Sequence, residues 1–226
     1  STDQKVAFPL YLRVPAWCKS PQLTVNGQAT QVALATGKFI RITREWQNGD
    51  VVTLTLPMEV SLREWTANHN SVSVDYGPLT FSLKIGERYD RHDSTKTAIG
   101  DSNWQKGTDP SKWPSWEIHP TTPWNYGLVL DSVQPAKSFT VQLGKWPTDD
   151  FPFTTEAAPI TMTVKARRIP EWTIDRHGLC AVLQNSPVFS EQPEETVPLI
   201  PMGAARLRIA SFPVIGTGPS AYRWTP

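Results

Sequence analysis

The chain has 226 residues, with 22 Lys and Arg against 21 Asp and Glu and a net charge of +1. So even a balance gives no electrostatic ground for expecting DNA, RNA or an anionic membrane as partner, and no apolar run approaches the ~18 residues of a membrane span. Its 21 Pro and 10 Trp beside only 2 Cys argue for strands joined by ordered loops rather than long helices, in one large or two smaller domains.

"STDQKVAF" leads almost at once into "YLRVPAW" at Tyr11 to Trp17, with no initiator Met and no leader-like segment. The expectation is a piece of something longer. "FPLYLRVP" alternates, with Leu10, Leu12 and Val14 on one face and Tyr11 and Arg13 on the other. "LTVNGQATQV" follows, and Asn26-Gly27 is a two-residue hairpin signal because both positions tolerate positive φ. "GKFIRITREW" is another strand, with Phe39 or Ile40 and Ile42 available for a core. "QNGD" turns the chain into "VVTLTLPM", where Val52, Leu54 and Leu56 share a face and Pro57 ends the run. "EVSLREW" and "SVSVDYGPLTFSLKI" complete this set, with a bend or bulge expected at "YGP". Trp17, Trp46 and Trp65 sit at strand ends and read as core or rim.

After Ile85 the stretch "GERYDRHDSTKTAIGDSNWQKGTDPSKWPSW" is polar and without period, so it reads as a functional loop or a domain junction. Strands resume in "WEIHP", "WNYGLVL", "SFTVQLG", "ITMTVKARRI", "LCAVLQ" and "TVPLIPMGAARLRIASFPVI". In the last, Leu207 and Ile209 alternate with Arg206 and Arg208. Short strands at this spacing, with no helical period, predict an all-β chain of two antiparallel, jelly-roll-like β-sandwich domains packed together. The division falls at 1–90 and 91–226, and the final strand is free to pair back onto the first domain.

Four phrases together carry a resemblance. They are "LYLRVPAW", then "VNGQ" with "GKFIRITREWQNGDVVTLTLPM", then "VDYGPLTFSLK", and finally the pair "WEIHPTTPWNYGL" and "LIPMGAARLRIASFP". In this order the chain resembles the C-terminal β-sandwich region of bacterial β-L-arabinofuranosidases of glycoside hydrolase family 127. In that family the catalytic unit is an (α/α)6 barrel preceding the sandwiches, with a zinc centre of several Cys and a Glu and one Cys as nucleophile. Clustered thiolates are what such a centre requires. Here only Cys18 and Cys180 occur, with no CxxC, so no cofactor is expected in this fragment.

The resemblance therefore implies a non-catalytic accessory region. Its partner would be an upstream (α/α)6 catalytic domain of the same protein, which it would support while walling part of the substrate approach. A homodimer is a further implied partner. Relatives that degrade polysaccharides suggest a periplasmic or extracytoplasmic location. Cys18 and Cys180 read as ordinary buried thiols, with one disulfide as the alternative.

Two other functions stay open. A glycosidase needs a carboxylate pair across the scissile bond. Glu64, Asp75, Glu117, Asp131, Asp149, Asp150 and Glu171 are candidates, but no motif pairs them. His69, His92, His119 and His177 form neither HxH nor HExxH, and GxSxG is missing, so no catalytic or metal-binding residue is assigned. An autonomous carbohydrate-binding module needs aromatic platforms. The densest aromatic cluster lies at Trp104, Trp113, Trp116, Trp124 and Tyr126, with His119 and Asn125 beside them. From it Trp113, Trp116, His119, Trp124, Asn125 and Tyr126 are taken as candidates for a plant-type oligosaccharide. The alternative is that these rings pack between domains, each burying roughly 150–250 Å². Arg167 and Arg168 read as salt-bridge formers at a sheet edge, with anion binding as the alternative.

Overall fold

The computed structural model describes residues 3–92, 109, 111–176 and 178–216. Trp104, His177 and the side chain of His92 lie outside the described residues. Within them the chain is all-β, with 43% strand and no α-helix. No helix there is long and apolar enough to cross a membrane. Two compact units form, Ser1–Ser61 with Asp75–Leu79, and Leu62–Val74 with Thr80–Pro226.

In the first unit lie β1 (Val6–Arg13), β2 (Gln22–Val25), β3 (Gln28–Ala29), β4 (Phe39–Trp46) and β5 (Val52–Thr55). β1 pairs antiparallel with β4, setting Leu10 opposite Ile42 and Leu12 opposite Ile40. β2 lies between β3 and β5. The buried cluster draws on both sheets: Val14, Leu23, Val25, Ile40, Ile42 and Trp46, with Val52, Leu54 and Leu56 packed against it. Phe39 lies on the other face of β4, with Arg41, Thr43 and Glu45, and stays exposed. Trp46 is buried and donates its indole N–H to the Phe8 carbonyl at 2.9 Å.

The Asn-Gly turn forms as predicted, with φ of 53° at Asn26 and 77° at Gly27, and closes β2 onto β3. Asn26 then ties this turn to the next one. Its amide donates to Asp50 at 2.8 Å, and its side-chain oxygen accepts from Val51 N–H at 2.8 Å. That first bond, followed by the N–H of Gln47, holds the Asp50 carboxyl below its ordinary range.

The chain continues through β6 (Val60–Trp65), β7 (Ser71–Tyr76), β8 (Leu79–Leu83), β9 (Glu87–His92), β10 (Ser115–Pro120), β11 (Tyr126–Leu128), β12 (Thr140–Leu143), β13 (Ile160–Arg168) and β14 (Glu194–Pro201). Seven of these form one sheet in the order β11-β13-β14-β8-β7-β6, with β12 also on β13. "YGP" is a full reversal between β7 and β8 rather than a bend within one strand.

β14 meets β8 through Leu199 opposite Leu83 and Pro201 opposite Phe81. The chain beyond it also bonds back. Phe212 exchanges both backbone bonds with Val72, and Leu83 N–H reaches the Ile209 carbonyl at 2.8 Å. Serines knit this contact together. Ser71 Oγ lies 2.7 Å from Ser211 Oγ, Ser73 Oγ donates to the Ala210 carbonyl, and Ser82 Oγ to that of Ile209.

Three segments depart from the sequence reading. "ERYDRH" is strand β9, not loop. "LCAVLQ" is not a strand, and only Cys180 makes a bridge there, to Ile174. Residues 206–209 are not a strand either. The backbone N–H groups of Arg206 and Leu207 are both taken by the Glu87 carboxylate at 3.0 Å, and Arg208 Nε folds back to the Ala205 carbonyl at 2.8 Å. Donors spent on side chains are lost to a ladder. Cys18 is buried as expected, Cys180 is exposed, and both thiols are free.

Candidate functional site

The aromatic stretch read from the sequence divides into two environments. Among the described residues β9 and β10 pair only with each other, as an antiparallel ribbon. The register sets Trp116 opposite Arg91 and Ile118 opposite Tyr89. Strand alternation therefore puts Glu87, Tyr89, Arg91, Trp116 and Ile118 on one face and Arg88, Asp90, Glu117 and His119 on the other.

On the first face the Tyr89 and Trp116 rings meet edge to face, with centroids 6.4 Å apart. Trp116 is half exposed. On the other face Arg88 grips Asp90 through two bonds of 3.1 and 2.9 Å. His119 Nε2 stands 3.5 Å from Asp90 and 3.4 Å from Glu117. Trp113 is 67% exposed on a turn held at Asp109, whose carboxylate accepts from Ser111 N–H and Oγ. Arg91 reaches across to the Ser111 carbonyl at 2.7 Å, so the turn is tied to the ribbon.

Trp124, Asn125 and Tyr126 are placed otherwise. Trp124 packs edge-on against Trp172 at 5.1 Å, within a cluster centred on Ile169, Trp172 and Ile215. Asn125 donates its amide to the carbonyls of Ile169 at 2.8 Å and Trp172 at 3.2 Å. Tyr126 is 5% exposed and donates its hydroxyl to Glu195 at 2.9 Å. Burial, and then that bond, push its pKa up to about 12. A shallow groove of about 500 Å³ runs past Trp124, Asn125, Arg168 and Trp172. The structure thus brings Trp113, Trp116 and His119 onto the ribbon and its adjoining turn, and packs Trp124, Asn125 and Tyr126 into the fold.

A cleft of about 250 Å³ opens where the ribbon's Glu87 and Tyr89 meet Lys84, Phe153, Glu156 and Arg206. Sequence reasoning named none of these six as site residues. Gly86 lies at its edge because no side chain fits: a Cβ there would sit 2.4 Å from Thr121 Oγ1. Instead Gly86 N–H bonds Thr122 Oγ1 at 2.9 Å. Glu87 organises the wall. One carboxylate oxygen accepts the two backbone N–H groups at Arg206 and Leu207, and the other accepts the Tyr89 hydroxyl at 2.5 Å. That last bond raises the Tyr89 pKa, with burial adding to it. Glu156 accepts from the Thr155 hydroxyl, which lowers its pKa against a smaller opposing effect of burial. It is therefore an ionised acceptor at neutral pH.

Among the described residues no group of three or more His, Cys, Asp or Glu side chains could hold a metal ion. Of the acids considered from sequence, Asp131 accepts the backbone N–H groups of Val133 and Gln134 in a turn. Asp149 caps Phe151 N–H, and Asp150 accepts from the Trp146 indole.

Comparison with known proteins adds the following. Residues 1–58 match a family profile described as "Beta-L-arabinofuranosidase, GH127 middle domain". A solved structure described as a glycoside hydrolase matches 92% of this chain and 28% of its own, at 22% identity and a TM-score of 0.53. A GH127 β-L-arabinofuranosidase from Geobacillus stearothermophilus T6 matches 94% of this chain and 27% of its own, at 20% identity and 0.54. A GH127 β-arabinofuranosidase matches all of this chain and 30% of its own, at 18% identity and 0.54. A search of curated proteins found no match. Residues 1–58 thus resemble a GH127 middle domain, and the chain shares its fold with part of these glycoside hydrolase structures, spanning less than a third of their length.

Proposed function

We propose that this chain is a non-catalytic, C-terminal accessory region of a bacterial glycoside hydrolase resembling the β-L-arabinofuranosidases. It supports an (α/α)6 catalytic domain elsewhere in the same protein, walls part of the substrate approach and contributes to dimer formation. The observation behind this reading is one of coverage. The chain aligns over 92–100% of itself with only 27–30% of glycoside hydrolase structures, so most of their length, and on this reading their chemistry, lies outside the matched part.

The test is direct. Purified chain incubated with an aryl β-L-arabinofuranoside should release no phenol above the buffer rate. Turnover abolished by Glu156→Gln would overturn the reading and favour a glycosidase built in this chain. The exposure of Trp113 and Trp116 favours a second role, oligosaccharide binding, which is compatible with the first.

A further inference from the structure

Two aromatic pairs flank the cleft. On the ribbon side Trp116 and Tyr89 touch edge to face, and Tyr89 is also a cleft wall. Phe153 also lines the cleft and is paired with Phe151 at 5.3 Å between centroids. Tyr89, Trp116, Phe151 and Phe153 are each between 47% and 51% exposed. Two half-exposed rings lining one cleft, each touching a second half-exposed ring, are unusual, because large aromatics normally bury their faces.

The cleft's charges cancel: Glu87 and Glu156 stand against Lys84 and Arg206. A site for a phosphate or a polycation would be one-sided, so this one suits a neutral ligand. Aromatic faces with a few fixed polar groups are the features that hold a sugar. The C–H faces of the ring lie on the aromatics, and the hydroxyls find donors and acceptors. The polar groups are fixed in advance, since Glu87 accepts three hydrogen bonds that hold Tyr89 and the 206–207 backbone in place. About 250 Å³ falls just below the ~300–1,000 Å³ of most small-molecule pockets. That volume takes one sugar ring, with neighbouring rings left to the ribbon.

We propose that the Trp116–Tyr89 face of the ribbon and the adjoining cleft form one binding track for a neutral oligosaccharide. One sugar sits in the cleft between Tyr89 and Phe153, its hydroxyls meeting Glu156, Lys84 and Arg206, and the chain continues over Trp116. This rests on the oligosaccharide-binding role named above. It keeps Trp116 from the residues the sequence suggested and adds six that it did not, Lys84, Glu87, Tyr89, Phe153, Glu156 and Arg206.

The test is isothermal titration of the chain with linear hexasaccharides of arabinose, xylose and galactose. At least one should bind saturably. Phe153→Ala and Trp116→Ala should each weaken it by about tenfold or more, the scale of truncating an aromatic anchor. Glu156→Gln, which keeps the shape, should weaken it severalfold. Tyr11→Ala, an exposed ring on β1, should leave it unchanged. Far-UV circular dichroism and melting curves check that each variant is folded. Absence of saturable binding to all three sugars would overturn both the binding role and the track. Binding that survives Phe153→Ala and Glu156→Gln but is lost in Trp113→Ala would overturn the track alone and place the site on the 109–113 turn.

Discussion

Trp116 and Trp124 are eight positions apart in one aromatic stretch, yet one is held out to solvent and the other packed in. The difference lies in their strand partners. Among the described residues β10 pairs only with β9, a charged strand, and the Trp116 ring on that ribbon stays half exposed. The chain around Trp124 runs into β11, which joins β13 in the large sheet, and Ile169 N–H bonds the Asn125 carbonyl at 2.8 Å. Residue type sets what a ring can do. The pairing of its strand sets whether it serves stability or recognition.

That contrast can be broken by substitution. Trp172→Ala removes the buried ring under Trp124 and the indole bond to the Ala181 carbonyl at 2.9 Å. It should cost about 3–5 kcal/mol in urea unfolding. Asn125→Ala removes the amide bonds to the Ile169 and Trp172 carbonyls, of which Ile169 keeps the Trp172 N–H, and should cost about 1–3 kcal/mol in the same measurement.

Tyr126 supplies a pH test. Its folded pKa of about 12 lies above the ordinary 10.0, so its contribution is complete below the ordinary value and is lost as pH rises through the folded one. The stability difference between wild type and Tyr126→Phe should therefore narrow between these two values in alkaline denaturation. Smallest of all, Trp116→Ala and Trp113→Ala should change stability by less than about 0.5 kcal/mol. A large loss from either would mean that the ribbon is core after all.

Much of the fold was legible where a local rule dominates. The alternation of Leu10, Leu12 and Val14 placed β1 correctly, and Asn26-Gly27 announced its own hairpin because few other pairs accept two positive φ values. "SVSVDYGPLTFSLKI" was readable as strand, although Gly77-Pro78 reverses the chain completely.

What escaped was structure built from polar side chains. "ERYDRH" carries the period of a strand, but in charges and one Tyr, so a search for apolar alternation passes over it. "ARLRI" shows the alternation of a strand and is not one, because Glu87, over a hundred positions earlier, takes its backbone donors. The cleft was invisible for the same reason. Glu87, Phe153, Glu156 and Arg206 share no motif and are brought together only by the fold.

The large sheet also dictates an order of assembly. β8 has β7 on one side, close in sequence, but on the other it meets only the distant β14, Leu83 facing Leu199, and Ser71 meets Ser211 across 140 positions of chain. Contacts that distant are slow to form, since the intervening loop must be closed before they are rewarded. During synthesis the edge of β8 that faces β14 must therefore wait, unpaired and sticky, until the residues up to Pro201 have left the ribosome. In that interval the nascent chain is most in need of a chaperone.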